Sequence, residues 1–224
     1  LVVEQPWIKE IDINPLLVSP DAVMALDARI VMSPSSQSHR YDHLAIVPYP
    51  EEYVRSPVMI DETPVVFRPI RPEDEEMWFD LLRSCSKESI YSRFNHFFHW
   101  ETHEVAVRFC YVDYDREIAI VAEIEEEGRK KLIGVGRLIS DPENETVEYA
   151  VLVTDKWQNR AVGSQLTDYC LDISRRWRRK QLVAQTTTDN VRIISVFRKR
   201  GFDIEHDQKT GTVYFRTPLK EPEG

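Results

Sequence analysis

The hydrophobic pattern is densest in three consecutive stretches in the middle of the chain, IAIVAEIEE, KLIGVGRLIS and ETVEYAVLVT. Each is a strand-like run, bounded by turn residues. Gly128 marks the first junction and Asp141, Pro142 and Asn144 the second, so the three runs are expected to form a meander. Upstream, VVFRPI reads as a strand. Pro72 then opens a helix with an acidic first turn and an apolar face carried by MWFDLLRS. A second helix is expected from Lys87 to His96. Downstream the pattern predicts a helix over Gly163 to Arg179, a strand LVAQTTT, a helix over Val191 to Arg200 closed by Gly201, and a last strand TVYFRT. The order β α α β β β α β α β predicts an α+β fold, a mixed, mostly antiparallel twisted sheet with helices on both faces.

The first part of the chain is patterned differently. Residues 1–32 carry two short strand-like runs, Glu10 to Val18 and Val23 to Ile30, around a turn at Ser19, Pro20 and Asp21. Two strands cannot make an independent core. Residues 33–63 are rich in Pro, Ser and Tyr with little periodicity, and read as an extended linker. Residues 64–220 are left as the main domain.

The chain has 224 residues, 42% apolar and 30% charged, which gives room for one sizeable domain and an appendage. A net charge of −9 opposes nucleic-acid binding and binding to an anionic membrane, and suits a basic peptide or amine as substrate. No apolar run is long enough to span a bilayer. Cys85, Cys110 and Cys170 lie far apart, as expected of reduced thiols in a cytoplasmic protein.

The stretch VEYAVLVTDKWQNRAVGSQL carries the candidate chemistry. Val147, Tyr149, Val151 and Val153 fall on one face of a strand, and Glu148, Ala150 and Leu152 on the other. The strand enters the turn KWQNRAVG and then a helix, whose start exposes four unpaired N–H groups and roughly half a positive charge. The small residues Ala161, Gly163 and Ser164 let an anion approach those groups. Neither GxxxxGK[ST] nor GxGxxG is present, so two better-known phosphate loops are excluded.

QNRAVGSQL resembles the acyl-CoA-binding turn of the GCN5-related N-acetyltransferases (GNAT), Q/R-x-x-G-x-G/A, with Gln158, Ala161 and Gly163 at its named positions. Ala161 stands where the pattern has its first Gly. DNVRIISVFRKRGF resembles the family's second signature, Asn190, an apolar helix, then Gly201 and Phe202. SIYSRF and DYDREIAIVAE look like a subgroup, bacterial protein-lysine acetyltransferases joined to an NDP-forming acyl-CoA synthetase-like region. EIDINPLLV and ALDARI resemble the end of an ATP-grasp domain, where residues matching Asp12, Asn14 and Asp27 help hold Mg²⁺ and nucleotide. With the rest of that domain missing, residues 1–32 are expected to be a remnant that binds no nucleotide alone.

The resemblance implies acetyl-CoA as co-substrate and no metal. It implies that the strand backbone at Val151, Leu152 and Val153 pairs with the pantetheine arm. The pyrophosphate would be held by Gln158, Asn159, Arg160, Ala161, Val162, Gly163 and Ser164, with Asn190 beside the pantetheine. Because a lysine amine is protonated at neutral pH, acetyl transfer needs a base, and Glu148 matches the family's glutamate. Strand splaying would open the site, so a bulge is expected near Val151. Many members use a Tyr as general acid, but Ser195 and Phe197 occupy that stretch, which leaves the acid unassigned. Asp113 and Asp115 are substrate-side candidates or ordinary turn residues, and RRWRRK (Arg175 to Lys180) is a candidate for the CoA 3′-phosphate. His96, His99 and His103 have helical metal-ligand spacing among aromatic neighbours, and no metal is expected there. The implied partner is a protein presenting an acceptor lysine, with acyl-CoA synthetases as the class the subgroup resemblance suggests. A small-amine acetyltransferase and a non-catalytic acyl-CoA sensor remain alternatives.

Overall fold

The computed structural model describes residues 3–32, 44, 47–94 and 99–219. The chain divides into two compact units, residues 1–48 and 49–224. In the first, β1 (Ile8–Ile13) pairs antiparallel with β4 (Ala28–Met32), and β2 (Leu16–Val18) with β3 (Val23–Ala25). The two continuous strands expected from the sequence are each interrupted. Pro15 has no N–H to give to a ladder, and its carbonyl accepts instead from Leu26 N at 3.0 Å.

The second unit is built on an eight-stranded sheet, β11-β12-β10-β9-β8-β7-β6-β5. Its strands are β5 (Val58–Ile60), β6 (Thr63–Pro69), β7 (Glu117–Glu126), β8 (Arg129–Ser140), β9 (Thr146–Val153), β10 (Gln181–Thr187), β11 (Asp203–Asp207) and β12 (Thr212–Pro218). Among the described residues only the β9–β10 pairing is parallel. The helices are α1 (Glu75–Arg83), α2 (Lys87–Phe94), α3 (His103–Cys110), α4 (Val162–Arg176) and α5 (Val191–Arg198). β5 lies in the stretch read as linker. α3 and β11 are additions to the expected order. HEVAVRFC carries β-branched residues that weaken a helix reading, but the Thr102 hydroxyl accepts from Val105 N, and Ala106 and Cys110 are fully buried.

Both faces of the sheet are covered. Along β7, Ile118, Ile120, Ala122 and Ile124 join the core under α4 and α5, while Ala119 and Val121 join a second core under α1, α2 and α3. α4 sits close on the sheet because β8 carries Gly136, where a Cβ would lie 3.0 Å from Cys170 Sγ and 3.2 Å from the Tyr149 ring. The expected α+β architecture is therefore present, with helices on both faces.

Candidate active site

β9 runs alongside β10 only at its start, where Thr146, Val147 and Glu148 pair with Gln181, Leu182 and Val183. Beyond Glu148 the two strands part. The rest of β9 stays hydrogen-bonded to β8 in unbroken register from Gly134↔Val153 to Ser140↔Val147. No bulge lies near Val151. The register shift in this part of the sheet falls between Ala122 and Glu123 on β7. Splaying alone creates the opening, and it leaves the β10-facing edge of β9 with backbone groups that have no strand partner.

The opening is a cleft of about 840 Å³, the size of a cofactor or small-ligand site. Val151, Leu152, Val153, Gln158, Asn159, Ala161, Gly163, Ser164 and Asn190 all line it. Arg160 and Val162 do not. The Arg160 guanidinium lies 5.5 Å from the Trp157 ring centroid and 3.5 Å from Asp61, and the Val162 side chain is fully buried in the core. Glu148 stands exposed on the strand just outside the cleft.

The turn supplies the anion-binding geometry. Asn159 and Ala161 have φ of 62° and 63°, the left-handed conformation, which turns successive N–H groups toward one side. No side chain caps α4, so its first N–H groups, at Val162, Gly163 and Ser164, have no helical acceptor. Gly163 adds no side chain between them and the cleft. A non-Gly residue in the left-handed region costs about 1–2 kcal/mol. Ala161→Gly, which also loosens the unfolded chain, should therefore raise the melting temperature by roughly 1–4 °C. An unchanged or lowered melting temperature would contradict that strain.

Gln158 ties the site together. Its Nε2 lies within 3.0 Å of Ser89 Oγ on α2, Val153 O at the end of β9 and Asp155 Oδ1, and its Oε1 accepts from Arg192 on α5. Asp155 in turn accepts from Ser86 N and Ser89 Oγ at the start of α2. Burial pushes the Asp155 carboxyl up, but those hydrogen bonds outweigh it and hold the group below the usual range. One face of α2, with Glu88, Ser89, Ser92 and Arg93, is thereby laid over the cleft. Sequence reasoning did not assign these residues, because nothing local shows which strand a helix will cross.

Other sequence candidates fall elsewhere. Asn190 lines the cleft, but its amide is engaged in the fold: Oδ1 accepts from Ile193 N and Nδ2 donates to Thr186 Oγ1. Asp113 caps a turn, accepting from Asp115 N through its side chain and from Arg116 and Glu117 N through its carbonyl. Neither Asp113 nor Asp115 lines the cleft. RRWRRK lies at the far end of α4 from the turn, about 20 Å away along a 15-residue helix. Its Arg175 pairs with Asp172 and its Lys180 with Glu145. The cations that do line the cleft are Arg93, Arg192 and Lys199. His96 lies outside the described residues, His103 is bonded to Glu75, and among the described residues no group of His, Cys, Asp or Glu is placed to hold a metal.

No acid for the leaving group emerges. Phe197 is 2% exposed and packs against Phe202 and Phe215 at 4.7 and 4.5 Å. Tyr149, edge-on to Phe197, has its hydroxyl 3.2 Å from Thr167 Oγ1, and burial pushes it well above its ordinary value.

Comparison with known proteins bears on what fills the cleft. The Acetyltransferase (GNAT) family model matches residues 76–202, and the ATP-grasp domain model matches residues 1–32. An acetyltransferase of Pseudomonas aeruginosa is 26% identical over 112 residues, which are 50% of this chain and 60% of that protein. The match thus spans about three fifths of the relative's length. The crystal structure of the GNAT domain of S. lividans PAT shares the fold with a TM-score of 0.68 at 24% identity, over 77% of this chain and 100% of that one. An N-acetyltransferase from Staphylococcus aureus Mu50 shares it with a TM-score of 0.55 at 17% identity, over 70% and 99%.

Proposed function

The chain belongs to the Acetyltransferase (GNAT) family, and on that footing we propose that it carries an acetyl group from acetyl-CoA to an amine, the acceptor being a protein lysine side chain. The observation that carries this reading is the splayed edge of β9 opening onto the uncapped start of α4. CoA needs both features. Its pyrophosphate suits the N–H groups of Val162, Gly163 and Ser164 and the left-handed turn before them. The amides of its pantetheine arm suit the backbone edge at Val151, Leu152 and Val153, which no strand covers and of which, among the described residues, Val153 O alone is engaged, by Gln158 Nε2. Acetyl-CoA supplies the activated acyl group.

Glu148 is the base in this reading. It stands on β9 at the last pairing with β10, one residue before the cleft begins. There its carboxylate takes the proton that the lysine ammonium must lose. A protein acceptor is supported by the exposure of Glu148, which leaves its approach open to a side chain on a large surface, and by the net charge of −9. Acyl-CoA synthetases are the acceptor class we favour, from the resemblance of SIYSRF and DYDREIAIVAE and from the ATP-grasp match, with the cytoplasm as the place of action. Among the described residues no helix is long and apolar enough to cross a membrane.

The test is a thermal melt with acetyl-CoA, paired with release of free CoA thiol in the presence of an acyl-CoA synthetase or of small amines. Binding at 100 times Kd adds about 2.7 kcal/mol, which should shift the melt by several degrees. Thiol release with the protein acceptor supports the proposal, and release with small amines alone moves the assignment to a small-amine enzyme. A melt that moves without any thiol release supports an acyl-CoA sensor, and a flat melt removes acetyl-CoA from the account.

A further inference from the structure

The cleft wall holds a cation that neither the fold nor the acetyl-CoA reading has so far used. Arg93 projects from α2 into the cleft, across from Tyr149, Ala150 and Val151 of β9. Of the three lining cations, Arg192 is engaged by Gln158, and Lys199 is exposed at the C-terminal end of α5. Arg93 is partly buried, and among the described residues it makes no ion pair and no hydrogen bond. Its guanidinium carbon lies 4.8 Å from the centroid of its neighbour Phe94. A guanidinium carries five N–H donors, and leaving them unsatisfied in a partly desolvated place is costly. The arrangement fits a site in which the missing acceptor arrives with the substrate.

The register of the sheet shows which residues of β9 lie on the side of α2. Glu148, Ala150 and Leu152 share the face of β9 turned toward α2, and Leu152 packs into the core beneath α1, α2 and α3. Ala150 lies opposite Arg137, which is tied to Glu117 and to the carbonyls of Arg108 and Phe109. Ala150 lines the cleft together with Arg93, and on that face of β9 it stands between Glu148 and Leu152. Burial, and next the Arg137 charge, pull the Arg93 guanidinium down to about 10, with Glu148 acting the other way. Arg93 is therefore still cationic at neutral pH, and it lies close enough to the proposed base to feel its charge.

We propose that Arg93 faces the acyl oxygen of bound acetyl-CoA and stabilises the negative charge that develops there during transfer. This rests on the acetyl-CoA reading above and adds a residue to it. When the neutral amine attacks, the N–C bond forms and the carbonyl π pair moves onto oxygen, toward Arg93. On collapse the C=O bond re-forms and the C–S bond breaks, its pair leaving on sulfur as thiolate. Glu148 has by then taken the first proton of the ammonium, so the second proton on nitrogen passes to water or to the departing thiolate. A preorganised donor aimed at such an oxygen is typically worth 10²–10³-fold in rate. An Arg supplies it with full charge and a fixed fork.

The readout that needs no acceptor is infrared difference spectroscopy of acetyl-CoA labelled with ¹³C at the thioester carbonyl. Binding to the parent chain should move the carbonyl stretch to lower wavenumber. Arg93→Gln should lose much of that displacement while still binding acetyl-CoA, and Arg93→Lys should keep part of it. In turnover, Arg93→Gln should lower kcat by roughly 10²-fold with KM for acetyl-CoA little changed, and Arg93→Lys should recover part of the loss. A carbonyl stretch identical in parent and Arg93→Gln would overturn the proposal and leave the acetyl-CoA reading standing. So would an effect confined to KM, or a selective gain for acyl groups ending in a carboxylate, which would make Arg93 a specificity residue instead. Failure of the parent chain to bind acetyl-CoA would overturn both.

Discussion

Glu148→Gln is expected to slow acetyl transfer by about 10²–10⁴-fold while acetyl-CoA binds as before. The carboxylate is exposed, and it shares a cross-strand row with Ile139 and Val183. It accepts no hydrogen bond among the described residues, so the amide costs little stability and any loss is chemical. At pH 7.4 only about one lysine amine in 10³ is neutral. A Gln of the same shape cannot accept the proton of the rest. The residual rate of the variant should therefore climb about tenfold per pH unit toward the lysine pKa, because deprotonation is left to solvent. Stopped-flow or steady-state thiol release across pH 6.5–9.5 measures both effects. A variant with the parent's kcat and pH profile would remove Glu148 from the mechanism.

The second large effect concerns stability. Arg68, Asp74 and Glu123 are 5%, 3% and 6% exposed, and form one network between β6, β7 and the turn leading into α1. The Arg68 guanidinium reaches Asp74 at 2.6 and 2.8 Å and Glu123 at 2.8 and 2.6 Å. Asp74 also accepts from Arg71 N at 2.8 Å, and Glu123 pairs with Lys130 at 2.9 Å. Arg68→Met leaves two buried carboxylates facing one another without their shared cation. Breaking such a pair costs about 3–5 kcal/mol, a fall of roughly 6–20 °C in melting temperature for a chain of this size. The triple change Arg68→Met, Asp74→Leu, Glu123→Leu should recover most of the loss, since replacing the whole network by apolar groups is close to neutral. The same network makes the fold acid-sensitive. Burial pushes the Glu123 carboxyl up, but the bonds from Lys130 and Arg68 outweigh it and hold it low. A depressed folded pKa contributes stability that is complete above the unfolded value of about 4.3 and is lost as pH falls through the folded one. A single Arg68→Met variant as stable as the parent would show that the network contributes nothing.

The part of the site that runs along one stretch of chain could be read from the sequence. The apolar run ending in a polar turn marked β9, that turn and Gly163 marked the start of α4, and the motifs around Gln158 and Asn190 marked the resemblance to the family. What spans separate stretches could not. Arg93 and Ser89 reach the cleft because Asp155 and Gln158 bind the start of α2 from 66 and 69 residues downstream. No local pattern encodes that contact. RRWRRK is a run of charge whose position relative to the turn depends on the length and direction of α4. The bulge near Val151 was inferred from the need for an opening, yet the opening comes from a β9–β10 pairing that ends early. Asn190 was placed by motif, but an Asn before a helix is also an ordinary cap, and its side chain has that role here.

The central claim is that this cleft delivers an acetyl group from acetyl-CoA to a lysine under the control of Glu148. The measurement that tests it most directly is incubation of the chain with acetyl-CoA and an acyl-CoA synthetase, with acetyl-lysine sites counted by mass spectrometry for the parent and for Glu148→Gln. At least one lysine should be acetylated by the parent, and that site should be reduced about 10²-fold or more in the variant. A synthetase left unmodified by a parent chain that binds acetyl-CoA, or a site modified equally by both proteins, would contradict it.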